Sequence, residues 1–353
     1  MPKDEAVLVT ELAGLSLRNP VLLAAGTAGV LDEMWSRDVP GSAGRRARRR
    51  GPLDLSRVGG VVTKSITAQA RSGNDTWRII ENRAGMLNAI GLANPGIDAF
   101  DEHIAPKASE VPTTVIGSVA GFSIDEYVRV AACMDEWAEP GFSRVKRRDA
   151  GSAGESDGGG PGGRAGIPAI ELNVSCPNVR TGLEFGLAPE HLRELMGAVR
   201  PVVKRAKVFV KLSPATPDMI GVARAAIDGG ADGLTIGNTQ PAMAIDVHTR
   251  KPRLSNTTGG LSGPALHPVA VRQVHEVYRK VAKERGVPVI GAGGVMRWED
   301  AAEFILAGAT AVQMGTALLA DPRSPIAVIK GLAKWVRAQG CGSMRELVGA
   351  VEV

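Results

Sequence analysis

Cys176 lies in the string ELNVSCPNV (171–179), between Asn173 and Asn178 and directly before Pro177. A thiol in a loop beyond an apolar run is placed for proton transfer or nucleophilic attack, whereas a structural Cys sits inside a helix or strand. Cys133, within YVRVAACMDEW, fits the structural pattern, and Cys341, after Gly340, fits a packing or surface position. No His neighbours Cys176 in sequence, so a thiolate–imidazole pair is not indicated, and the 3 Cys and 5 His show no zinc-ligand spacing. Asn88, Asn173, Asn178 and Asn238 form a second set. An amide both donates and accepts, so converging Asn suit a ligand ring with alternating C=O and N–H groups; taken singly, each is equally a cap or turn residue. Lys64 and Lys211 stand at the ends of two further apolar runs, and Gly293-Gly294 and Gly315-Thr316 follow two more. Gly lets backbone N–H groups approach an anion closely, and a helix starting near Trp298 would add its N-terminal end, so these pairs read as a phosphate cradle as well as tight turns.

The elements that carry these residues are short apolar runs bounded by Gly, Asn or Pro. Strands are predicted at 20–26, 60–65, 113–120, 169–175, 207–213, 233–238, 287–293 and 311–317. Between them lie amphipathic stretches, among them 189–205, 217–230, 267–286 and 297–308, and a helix ending near Trp137. Strands apolar on both faces that alternate with helices form a parallel sheet, and eight such units predict an α/β fold, the (β/α)8 TIM barrel, with its chemistry at the C-terminal strand ends. A doubly wound sheet would want a G-x-G-x-x-G after an early strand, and there is none.

The chain has 353 residues, 44% of them hydrophobic and 22% charged, which suits one large barrel domain over 1–353. Two stretches, 40–54 and 139–166, are rich in Gly, Ser and Arg with little to bury, and read as disordered surface insertions. The net charge of +5 is matched by the run Arg45, Arg46, Arg48, Arg49 and Arg50, which has no interleaved aromatics to stack bases, so no nucleic-acid partner is expected. The opening MPKDEAVLV has no secretory pattern, and the longest uncharged run, Phe304 to Ala320, falls short of the ~20 apolar residues of a membrane span. A cytoplasmic protein with reduced thiols and no membrane partner is expected.

Eight motifs then match one family in order: TKSIT (63–67), GMLNAIGLANPG (85–96), ELNVSCPNV (171–179), VKLSP (210–214), NT…MAIDVHTRKP (238–252), TGGLSGPAL (258–266), GAGGV (291–295) and QMGTALL (313–319). The chain resembles the class 1 dihydroorotate dehydrogenases, with the TRKP…TGGLSGPA stretch closer to subclass 1B than 1A. The resemblance implies an FMN-dependent barrel that oxidises (S)-dihydroorotate to orotate in pyrimidine biosynthesis. It makes Cys176 the general base at substrate C5, with hydride leaving C6 for flavin N5. Lys64 would contact flavin and the substrate carboxylate. Asn88, Ala89, Ile90, Gly91 and Leu92 would close around the substrate, and Asn173, Asn238 and Thr239, with Asn178 in the same shell, would bond its ring. Lys211 would sit by flavin N1/O2, Gly263, Gly293, Gly294, Gly315 and Thr316 would hold the ribityl phosphate, and Ser65 and Gly237 would lie near the ring. Ala25, Ser118 and Ala242 depart from the family's usual Ser, Asn and Gly; Ala25 and Ser118 would face the flavin. Subclass 1B also implies a homodimer core and a separate iron–sulfur, FAD-bearing subunit that passes electrons to NAD⁺, since 3 Cys cannot hold a [2Fe–2S] cluster. Two alternatives stay open: an FMN enzyme acting on a related dihydropyrimidine, and a Schiff-base aldolase barrel with Lys211 or Lys64 as nucleophile.

Overall fold

The computed structural model describes residues 3–31, 53–142, 166–174 and 185–352. Cys176, Asn178, the Arg45–Arg50 run and most of both insertions lie outside the described residues.

Each of the eight apolar runs contains a barrel strand, shorter than the run itself. They are β1 (Val21–Leu23), β2 (Gly60–Val62), β3 (Thr114–Val119), β4 (Ala169–Asn173), β5 (Lys207–Leu212), β6 (Gly233–Ile236), β7 (Val289–Ala292) and β8 (Ala311–Met314). They pair in chain order, all parallel, and Val312 beside Val21 closes the ring. Around it run α1 (Ile97–His103), α2 (Ile124–Glu136), α3 (Pro189–Val199), α4 (Met219–Asp228), α5 (His267–Val277), α6 (Trp298–Ala307), α7 (Thr316–Ala320) and α8 (Ser324–Ala338).

Both strand faces are buried, which is why the runs carry no polar alternation. Outward residues such as Val61, Val115, Ile170, Val210 and Val312 join the helices in the large core. Inward, a lower layer of Leu22, Val62, Ile116, Ala169, Phe209, Ile290 and Ala311 fills the barrel, and the hairpin Thr10–Leu12/Leu15–Leu17 seals its base with Leu12 and Leu17. Gly233 makes room for Phe209, since a Cβ there would lie 2.3 Å from the ring. The upper inward positions change character: Ser118, Glu171, Lys211, Thr235 and Gln313 are all buried and all polar.

Helix α3 stops at Val199, short of the predicted 205, where Pro201 has no N–H to continue the ladder, and the turn beyond it is bound elsewhere. The buried Asp135 carboxylate of α2 accepts hydrogen bonds from the backbone N–H groups of Lys204, Arg205 and Ala206 at 3.1, 2.7 and 2.7 Å. The insertion boundaries also tighten. Leu53 is 1% exposed within the core, and Phe142 packs edge-on against Trp137, so both predicted insertions overlap the core at one end.

A second sheet escaped the sequence reading. Strands Gln240–Met243, Thr258–Ser262, Gly85–Asn88 and Ile79–Asn82 form a four-stranded antiparallel sheet in that order. Their sequences (QPAM, TGGLS, GMLN, IIEN) are too short, polar or Gly-rich to show alternation. Three of these strands contribute residues to the wall of the cavity over the barrel.

Candidate active site

A cavity opens at the carboxyl ends of the strands, where a (β/α)8 barrel places its chemistry. Asn173 on β4, Lys211 on β5 and Gln313 on β8 form its floor. Ala25, Lys64, Ser65, Gly237, Asn238 and Thr239 stand on the strand-end loops around it. The capping sheet and the loop after it supply Asn88, Ile90, Gly91, Leu92, Ser262 and Gly263, and Gly293, Gly294, Gly315 and Thr316 complete the wall.

A line of hydrogen bonds orients the amides. Ser118 Oγ and Ser65 Oγ are 2.9 Å apart, Asn173 Nδ2 donates to Ser65 Oγ at 3.1 Å, and Asn238 Nδ2 donates to Asn173 Oδ1 at 3.4 Å. The Asn173 carbonyl accepts from the Tyr127 hydroxyl of α2 at 2.8 Å, which ties the end of β4 to the helix layer. Asn238 Oδ1 accepts from the Thr239 N–H at 2.8 Å. Asn88 is anchored separately, through Nδ2 to the Gly260 carbonyl at 3.3 Å. Gly237 permits the close passage of β6 against β7: its φ is +107°, and a Cβ would lie 1.9 Å from the Ala292 carbonyl oxygen.

The loop over the cavity is held from behind. Asn94, only 8% exposed, donates from Nδ2 to Thr67 Oγ1 and the Leu92 carbonyl at 2.8 and 2.7 Å, and its Oδ1 accepts from the N–H groups of Thr67 and Gly96. Asn74 Nδ2 donates to the Ala89 carbonyl at 2.9 Å. Leu92 is held at φ +56°, a conformation side chains rarely adopt, so the loop's shape is imposed by these bonds.

Below the floor lies a charged network that the sequence reading missed. Lys211 Nζ donates to Gln313 Oε1 at 2.9 Å and stands 3.5 Å from Glu171 Oε1. Glu171 Oε2 accepts from Thr235 Oγ1 at 2.8 Å and from Gln313 Nε2. The signal was present in the sequence: Glu171 is the one acid in the otherwise uncharged run AIELNVS.

Several expectations need correction. Ser118 is not on the cavity wall; it is fully buried, and its hydroxyl meets Ser65 Oγ. Ala89 is also fully buried, packed with Leu87 and Leu254 under the capping sheet. Just before the helix that follows β7, Asp300 Oδ2 accepts from the N–H groups of Met296 and Arg297, both at 2.8 Å. Cys133 is structural as expected, with Sγ donating to Asp101, which also accepts from Trp137 Nε1.

Comparison with known proteins agrees with this geometry. The dihydroorotate dehydrogenase family model matches residues 7–140 and 166–336, breaking where the second Gly-rich stretch lies. The chain is 38% identical over 349 residues to the dihydroorotate dehydrogenase B (NAD(+)) catalytic subunit of Bacteroides thetaiotaomicron, covering 99% of this chain and 100% of that one. It is 39% identical over 343 residues to the putative dihydroorotate dehydrogenase A (fumarate) of Aquifex aeolicus, covering 97% of each. The crystal structure of Eimeria tenella DHODH in complex with ferulenol superposes with a TM-score of 0.72 over 99% of this chain and 90% of that chain, at 21% identity, which is a likeness of fold. With the family's motifs gathered on one cavity and its model matched along both halves of the barrel, the chain belongs to the dihydroorotate dehydrogenase family.

Proposed function

We propose that this chain is the catalytic subunit of a class 1B dihydroorotate dehydrogenase, oxidising (S)-dihydroorotate to orotate in pyrimidine biosynthesis with FMN as its cofactor. The observation that carries this reading is the convergence, in a chain of this family, of strand-end amides, two lysines and glycine loops on one cavity.

The residues present fit FMN by their own chemistry. Gly263, Gly293, Gly294 and Gly315 put bare backbone on the cavity wall, and a Cβ at Gly315 would make only ordinary contacts with Ala24 and Thr27. Bare backbone of this kind suits a phosphate, with the Thr316 hydroxyl beside it. Lys211, together with Lys64, Ser65, Ala25 and Gly237, would hold the ring, and the Lys211 ammonium would stabilise negative charge there. When bound, FMN supplies the acceptor for the electron pair of the substrate C6–H bond.

The chain's own residues do the rest. Asn173, Asn238, Thr239 and Asn88 would bond the ring's C=O and N–H groups, with Asn178 in the same shell, and the 89–92 loop would shield it from water. Lys64 would pair with the substrate carboxylate. Cys176, outside the described residues, would take the C5 proton, which the adjacent carbonyl acidifies, leaving that electron pair to form the C5=C6 bond. Lys211 is held by Gln313 and faces Glu171, an engaged amine that disfavours it as the nucleophile of the aldolase alternative.

The names of the B-type relatives imply a separate electron-transfer subunit, and 3 Cys are too few for a [2Fe–2S] cluster here, so the iron–sulfur and FAD route to NAD⁺ would lie on that second protein. No helix among the described residues is long and apolar enough to cross a membrane, in keeping with a cytoplasmic enzyme. The test is anaerobic incubation of the FMN-loaded chain with dihydroorotate and a soluble dye acceptor. Stoichiometric orotate with dye reduction is expected; loaded protein that forms none overturns the reading.

A further inference from the structure

Glu171 has no part in the chemistry set out above, yet it is the least accessible charge near it. It is 0% exposed and does not line the cavity. Both donors to Oε2, Thr235 and Gln313, come from the barrel interior and fix the carboxylate's rotation. Oε1 is left buried without a hydrogen-bond partner, its nearest cation being Lys211 Nζ at 3.5 Å. A buried ion pair contributes little net stability, and an apolar pair of the same volume would serve the fold as well. A carboxylate held by two donors and turned with one bare oxygen toward a cavity-floor lysine is therefore better explained by the site than by the core.

We infer that Glu171 is a positioning residue, which holds the Lys211 ammonium at the cavity floor and offsets part of its charge, so setting the potential felt by the ring bound there. The carboxylate acts through Lys211 and touches neither cofactor nor substrate. Gln313 completes the arrangement by accepting from Lys211 and donating to Glu171, so the lysine is fixed from two sides. This inference rests on the FMN reading and adds to it the element that tunes the flavin.

The test uses the flavin-loaded protein and sulfite, which adds to the flavin ring and is favoured by positive charge beside it. Glu171→Gln keeps the shape and removes one negative charge. At an effective dielectric of about 20, a unit charge within roughly 12 Å shifts an ionic equilibrium about tenfold, so sulfite should bind about tenfold more tightly. Sulfite affinity within twofold of wild type, in a variant that holds flavin, overturns the inference. Should Glu171→Gln fail to fold, Thr235→Val removes one donor and leaves more of the carboxylate's charge uncompensated. Sulfite should then bind about two- to threefold more weakly, by the loss of one charge-assisted hydrogen bond, and unchanged or tighter binding overturns the inference. A wild-type chain that takes up no FMN defeats the cofactor reading itself and is seen before any variant is made.

Discussion

Gly315→Ala separates a glycine needed by the ligand from one needed by the backbone. At Gly315 the φ is −121°, and an added Cβ would meet only Thr27 Cγ2 at 3.5 Å and Ala24 Cβ at 3.6 Å, both ordinary contacts. Ala24, Thr27 and Gly315 all line the cavity, so the methyl takes space the proposed phosphate would occupy. Inserting a methyl group into a packed site costs about 1–3 kcal/mol, which is about 5- to 150-fold in affinity. The apoprotein has no such clash, and its stability should change by less than about 1 kcal/mol. Gly294→Ala is the contrast: at φ +68°, a Cβ would lie 2.7 Å from the Gly263 carbonyl and 2.8 Å from His267 Cβ. The left-handed conformation alone costs a side chain about 1–2 kcal/mol, so this apoprotein should melt measurably earlier. The assay is titration of each apoprotein with FMN, read by quenching of flavin fluorescence, beside thermal unfolding without cofactor. Gly315→Ala with FMN affinity within twofold of wild type, or with an apo stability loss equal to that of Gly294→Ala, would falsify the assignment of the cradle.

Three further outcomes are expected. Cys176→Ser should keep its flavin but be reduced by dihydroorotate at least about 100-fold more slowly, the usual scale for losing a positioned base. In the wild type the reduction rate should climb as pH rises toward about 8.5, the ordinary thiol value, because only the thiolate accepts the proton; stopped-flow traces flat from pH 6 to 9 would remove Cys176 from that role. Asn94→Ala strips four hydrogen bonds from the loop after the capping sheet and leaves buried groups unpaired, which should lower stability by about 2–4 kcal/mol and raise KM for dihydroorotate more than it lowers kcat. Equal stability and KM would show that the loop is shaped by something else.

The barrel was legible because its strands are buried on both faces, so each appears as an unbroken apolar run with Gly or Asn at its end. The strand-end motifs therefore fell on the cavity almost without loss. The capping sheet was not legible: TGGLS and QPAM show no period, and TGGLS pairs with Gly85–Asn88 some 170 residues away, as the Asn88–Gly260 bond records. Ala89 belongs to the right motif but packs under the capping sheet, a matter of one-residue alternation that a motif does not carry. Glu171 was visible as an acid among apolar residues, and its meaning depends on Lys211, Thr235 and Gln313 arriving from three other strands.

The central claim is that the cavity holds FMN and that dihydroorotate reduces it. A visible spectrum of the purified protein, taken anaerobically before and after adding dihydroorotate, tests both at once. Bound-flavin bands that bleach on addition are the expected result. A flavin spectrum that dihydroorotate leaves unchanged, or a colourless protein that cannot be loaded with FMN, would contradict it.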